Sequence, residues 1–123
     1  MQFNHFNQLT PHQLQVLYNF QIIKYEVFQS RSYQRYLKLI FYLSNENESF
    51  EIDQLFELYD DDSAHPAYYR LLDQFRQFGE VKDDVIVEDL IGERGTCYVK
   101  HNYSNGKTYQ QIILTSWEDT VNE

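Results

Sequence analysis

A single cysteine, Cys97, stands in 123 residues. No disulfide can form within the chain, so its core alone must hold the fold, and the composition suits a reducing compartment. Two prolines and four glycines supply few natural breaks, so regular structure should occupy most of the length. No run of about 18 apolar residues exists to cross a membrane as a helix. The start, Met1 to His5, lacks the basic-then-apolar pattern of a secretory leader. A cytoplasmic location with no membrane contact is therefore expected. Basic residues are also scarce: ten Lys and Arg stand against nineteen Asp and Glu, for a net charge of −9. Signatures of catalysis are missing as well. His5, His12, His65 and His101 fall in no metal-ligand spacing, and there is no glycine-rich phosphate loop. The run Asp60–His65 is rich in ligand atoms but lacks the glycine spacing of a calcium loop, and it reads better as a capped turn. Cys97 lies in an alternating stretch that suits a small buried hydrophobe better than a nucleophile. Neither enzymatic activity nor a cofactor is expected.

Aromatic side chains are abundant. With 11 Tyr and 9 Phe, aromatics reach 17% of the chain, far too many for a disordered polymer. One domain, residues 1–123, should bury roughly two thirds of its unfolded surface. Negative charge is concentrated. Residues 1–45 hold Lys24, Arg31, Arg35 and Lys38 against Glu26; residues 46–93 hold fifteen acids against Arg70, Arg76 and Lys82; residues 94–123 balance. An acidic middle of this kind repels phosphate and attracts basic protein surfaces.

Along the chain, Thr10, Pro11 and Gln13 form a capping box, and Leu9 and Leu14 are spaced as its hydrophobic staple. A helix is expected from Pro11 to Gln29, the N-terminal unit 10–30. Its two apolar stripes suit a sandwiched helix, either within one domain or in a homodimer. The spacing of Tyr33, Tyr36, Leu37, Ile40 and Phe41 predicts a second, central helix, Tyr33–Leu43. Ile52, Leu55, Phe56 and Tyr59 predict a third, Ile52–Tyr59. Pro66 opens a fourth that buries Tyr68, Leu71, Leu72, Phe75 and Phe78 and stops at a left-handed Gly79. Beyond it the period shortens to about two. Strands are expected at Val85–Ile91, Thr96–Tyr103 and Tyr109–Thr115, the last two joined by a hairpin at Asn105-Gly106. Trp117 is placed to pin the end of the sheet. The expected fold is α+β and winged-helix-like: about four helices followed by a three-stranded antiparallel sheet, with the core over residues 32–115.

With this order, Ser32–Ser44, Phe50–Leu55, and Pro66 through Leu71–Phe75 resemble the winged helix-turn-helix regulators of the MarR type, and within them the small staphylococcal accessory regulator (Sar) family. Glu93-Arg94 falls where that family has an Asp-Glu-Arg wing, although Gly92 replaces the first acid. The chain also continues as strand where the family has C-terminal helices. The resemblance implies a recognition helix presenting Tyr69, Arg70, Gln74 and Gln77 to double-stranded DNA, with Arg94 and Lys100 on the wing. It also implies the possibility of an effector near a dimer interface.

Two functions follow as expectations. The first is transcription regulation by DNA binding. It must contend with a sequence pI near 4.8, because phosphate contacts require cations. The second is an acidic inhibitor that imitates nucleic acid and blocks a basic nucleic-acid-binding protein, with Glu57, Asp60, Asp61 and Asp62 as its contact residues.

Overall fold

The computed structural model describes residues 15–118. The chain runs β1 (Tyr18–Gln29), β2 (Arg35–Ser44), β3 (Ser49–Leu58), α1 (Pro66–Arg76), a 3-10 turn (Val87–Leu90), β4 (Arg94–Ser104) and β5 (Lys107–Glu118). All strands join one antiparallel sheet in the order β3-β2-β1-β4-β5. This overturns the winged-helix expectation. Five strands and one α-helix stand where about four helices and a three-stranded sheet were expected.

Each misplaced helix has a physical reason. In β1, Phe20 and Ile22 point to the core, and a bulge between Ile22 and Lys24 shifts the alternation so that Tyr25 packs there next. A period of two broken by one extra residue imitates helical spacing. In β2, Leu37, Leu39, Phe41 and Leu43 alternate inward. Tyr36, Ile40 and Tyr42 fill the other face with apolar side chains, which erased the alternation. In β3, Ile52 and Phe56 face the core but Gln54 sits between them. Without that polar residue the period of two would have been visible. The expected helix of residues 10–30 is strand from Tyr18 onward, so the helix-mediated homodimer loses its basis; the Thr10 cap and Leu9–Leu14 staple lie outside the described residues.

Other expectations hold. α1 begins at Pro66 after a His65 cap, whose Nδ1 accepts the Ala67 N–H at 3.0 Å. It buries Tyr68, Leu71, Leu72 and Phe75, whereas Phe78 is exposed. The β4–β5 hairpin turns at Asn105 and Gly106, both with positive φ. Trp117 does close the sheet's end, against Phe75 and over Gly79, where an added Cβ would lie 2.8 Å from the indole. Gly79 serves that close approach and is not left-handed. The expected strand Val85–Ile91 is instead a loop and the 3-10 turn. The Tyr25 hydroxyl donates to Glu88 and ties that turn to β1; the bond holds the Glu88 carboxyl below its ordinary value.

Three hairpin-connected strands, then a fourth returning beside the first, make a Greek key. The sheet rolls around α1 until its two edges meet. There, side chains substitute for a strand. The Gln54 amide donates to Gln110 O at 2.9 Å and accepts from Ile112 N at 3.3 Å. The Gln74 amide, from α1, donates to Ile112 O at 3.1 Å and accepts from Leu114 N at 2.7 Å. The result is a partly open five-stranded barrel with its helix between the third and fourth strands, the architecture of the OB-fold. The wholly buried side chains are Phe41, Phe75, Ile22, Leu39, Leu43, Ile112 and Cys97. No helix among the described residues is long and apolar enough to cross a membrane.

Each glutamine satisfies two backbone groups at a half-buried seam, and an unsatisfied group costs about 1–3 kcal/mol. Gln54→Ala and Gln74→Ala should each lower unfolding free energy by about that amount in urea titrations. Gln→Glu at either site should be at least as damaging, because it removes the donor.

Candidate functional site

The seam opens into a cleft of about 760 Å³. β3 contributes Asp53 to Phe56, α1 contributes Ala67, Arg70, Leu71 and Gln74, and the β4–β5 ribbon contributes His101, Asn102 and Thr108 to Ile112. The ribbon extends past the pairing of β4 with β1, which covers only Arg94 to Cys97. Its distal half is therefore a projecting two-stranded arm.

That arm differs in charge from the rest of the molecule. From Thr96 to Trp117 there is no Asp or Glu. Lys100 and Lys107 are exposed, and neither lies within 4.0 Å of a carboxylate among the described residues. Arg70, on the cleft wall, is likewise exposed and without an ion pair. The strand cations of the β1–β2 hairpin are occupied, while Arg31 in its turn is exposed and has no ion pair among the described residues. Lys38 lies 3.2 Å from Glu26 and 3.9 Å from Asp53, Lys24 lies 3.7 Å from Glu26, and Arg35 lies 2.8 Å from Asp62. Lys38 also sits over the Phe28 ring, which stacks on Tyr36.

The arm also carries exposed rings. Tyr103 is 82% and Tyr109 50% exposed. The register opposes Asn102 to Tyr109 and Lys100 to Gln111, so Lys100, Tyr109 and Lys107 share one face. Neighbours on that face lie about 7 Å apart. His101 and Tyr103 occupy the other face, towards which Cys97 and Val99 point nearer the core.

The expected DNA-reading residues are dispersed. Arg70 and Gln74 meet at the cleft, but Gln74 is engaged in the seam. The Tyr69 hydroxyl accepts the Ala64 N–H at 3.3 Å and its ring packs edge-on to Tyr68. Gln77 caps the helix end. Lys100 is on the arm, whereas Arg94 begins β4, six residues and about 20 Å away. The expected partner helix, Ile52–Tyr59, is part of β3 or its following turn, so the described residues hold no helix-turn-helix to enter a major groove.

Glu57 and Asp60 are exposed. Asp61 accepts both the hydroxyl and the N–H of Ser63, which holds its carboxyl below the usual range. Asp62 adopts positive φ and pairs with Arg35. The last two therefore build the turn before α1. Sequence reasoning missed Lys107, Tyr103 and Tyr109. The signal was the acid-free run, hidden because Glu118, Asp119 and Glu123 cancel Arg94, Lys100 and Lys107 in a regional sum.

No family model, curated protein or solved structure matches the chain.

Burial pushes the Cys97 thiol up to about 12. In the folded protein at about pH 8 it should react with a thiol-specific disulfide reagent no faster than the chain unfolds, and at once in denaturant. Rapid labelling of the native state would contradict the packing described.

Proposed function

We propose that this chain is a non-catalytic, cytoplasmic module that binds single-stranded nucleic acid along the β4–β5 arm and the adjoining cleft. The observation that carries the reading is the acid-free arm, which exposes Lys100, Lys107 and Tyr109 on one face and Tyr103 on the other, with Arg70 on the wall of the adjoining cleft. Exposed rings stack on unpaired bases whatever their identity, contributing about 1–3 kcal/mol per base. Lys100 and Lys107 lie four ladder positions apart, about 13 Å along the ribbon, and each offers one cation to a phosphate on either side of Tyr109. Partly open five-stranded barrels hold oligonucleotides on the β2–β3 face and on the loop between the last two strands. That comparison is an analogy of architecture, and the side chains decide which part applies. Here the β2–β3 face is neutralised by Glu26 and Asp53, so the last hairpin takes the contact. A duplex offers stacked, paired bases and denser charge, and it suits this acidic body poorly.

Fluorescence anisotropy of a labelled oligothymidine of about 20 nucleotides tests the reading. Three phosphate contacts give a salt slope of about −2, hence a roughly 20-fold loss of affinity between about 50 and 200 mM salt. Tyr103→Ala and Tyr109→Ala should each weaken binding by about fivefold or more, and Lys100→Glu with Lys107→Glu should abolish it. Lys38→Ala should change it little, because Lys38 is already paired. No binding at low salt, or tighter binding to duplex, sinks the proposal.

A further inference from the structure

A second cleft, of about 590 Å³, lies at the opposite end of the ribbon. Its floor is apolar, formed by Leu72 and Phe75 of α1, by Val81, Val85 and Leu90, and by the Trp117 ring. Its rim is acidic, with Glu80, Asp84, Asp89 and Glu93 against Lys82 alone. Two of these acids are engaged internally. Glu93 accepts the Trp117 Nε1–H at 2.8 Å, and Asp89 accepts the Ile86 N–H at 3.2 Å. Glu80 and Asp84 are exposed and make no ion pair or side-chain hydrogen bond among the described residues.

Trp117 opposes Gly95 in the ladder and is ten residues from Lys107, about 33 Å along the strand. The ribbon thus carries a cationic, aromatic arm at one end and an acid-rimmed apolar groove at the other. Phosphate is repelled from the groove, so it forms no part of a nucleic-acid path.

The geometry points to this groove as the docking site for a short segment of a partner protein bearing an apolar side chain flanked by Lys or Arg. The apolar side chain covers Trp117 and Val85, and the flanking cations meet Glu80 and Asp84. The chain's own residues 119–123 are poor occupants, because Asp119 and Glu123 repeat the sign of the rim. This assignment stands independently of the nucleic-acid proposal.

Trp117 is the sole tryptophan, so its emission reports directly on the groove. The full chain is titrated with the capped peptide Arg-Leu-Arg-Leu-Arg while tryptophan fluorescence is followed. The emission should shift and saturate, and affinity should fall severalfold between about 50 and 500 mM salt. The double variant Glu80→Lys, Asp84→Lys should lose about tenfold or more in affinity. Both positions are exposed, and circular dichroism with a thermal midpoint confirms that the variant folds. Lys100→Glu with Lys107→Glu should leave the peptide response unchanged. An equal response to Glu-Leu-Glu-Leu-Glu, an undiminished response in the folded double variant, or no response up to about 5 mM overturns the site.

Discussion

The ring of Phe75 is where the helix, the first strand and the last strand meet. It is fully buried, edge-on to Trp117 at 5.2 Å and to Phe20 at 6.2 Å between centroids. Phe20 in turn leans on Phe41 of β2. A five-stranded sheet with one apolar face has to cover that face, and α1 is the sole α-helix available among the described residues. The sheet rolls because a flat one would leave Phe20 or Ile112 in water. Burying an aromatic side chain in such a position contributes on the order of 3 kcal/mol, a large share of a small domain's net stability. Curvature, seam and clefts all follow from wrapping five strands around one helix.

That wrapping sorts the charges. Residues 46–93, the acidic stretch, form β3, its turns, α1 and the approach to β4. β1 and β2 hold their cations against nearby carboxylates: Lys24 against Glu26 of its own strand, Lys38 against Glu26 and Asp53, and Arg35 against Asp62. β4 and β5 run away from them at their hairpin end, so the few cations there keep their field. A protein with a strongly negative total can thus hold a locally positive arm, because exposed charges farther apart than about 10 Å are largely screened from one another. Net charge and pI describe the sum and conceal this separation.

The sequence disclosed its short-range chemistry and hid its long-range chemistry. The Pro66 helix start, the Asn105-Gly106 turn and the Cys97–Val99 alternation were readable, because each depends on neighbours within a few residues. β1, β2 and β3 were misread because their apolar positions match helical spacing through different accidents: a bulge at Ile22, apolar residues on both faces of β2, and Gln54 in an inward position. Once three strands were taken as helices, a winged-helix topology was the natural assembly, and Gln74 and Tyr69 became base readers. Their true partners are Leu114 and Ala64, forty and five residues away in sequence. The partner of Gln54 is Gln110 of β5, fifty-six residues later. No local pattern carries that information.

The amide seam has a further consequence for how the chain behaves in company. Long strands rich in Ile, Leu, Tyr and Phe, with edges open, are templates for another chain to add on. Many proteins blunt such an edge with lysine, proline or a short strand. Here β5 is twelve residues long and contains no proline. Four of its outward-facing peptide groups, from Gln110 O to Leu114 N, are occupied by two side chains that cannot themselves be extended, since an amide presents one donor–acceptor pair to the strand and then ends in its own methylene stem. Gln54 and Gln74 therefore act as a selvedge: they finish the border of the sheet so that it does not grow.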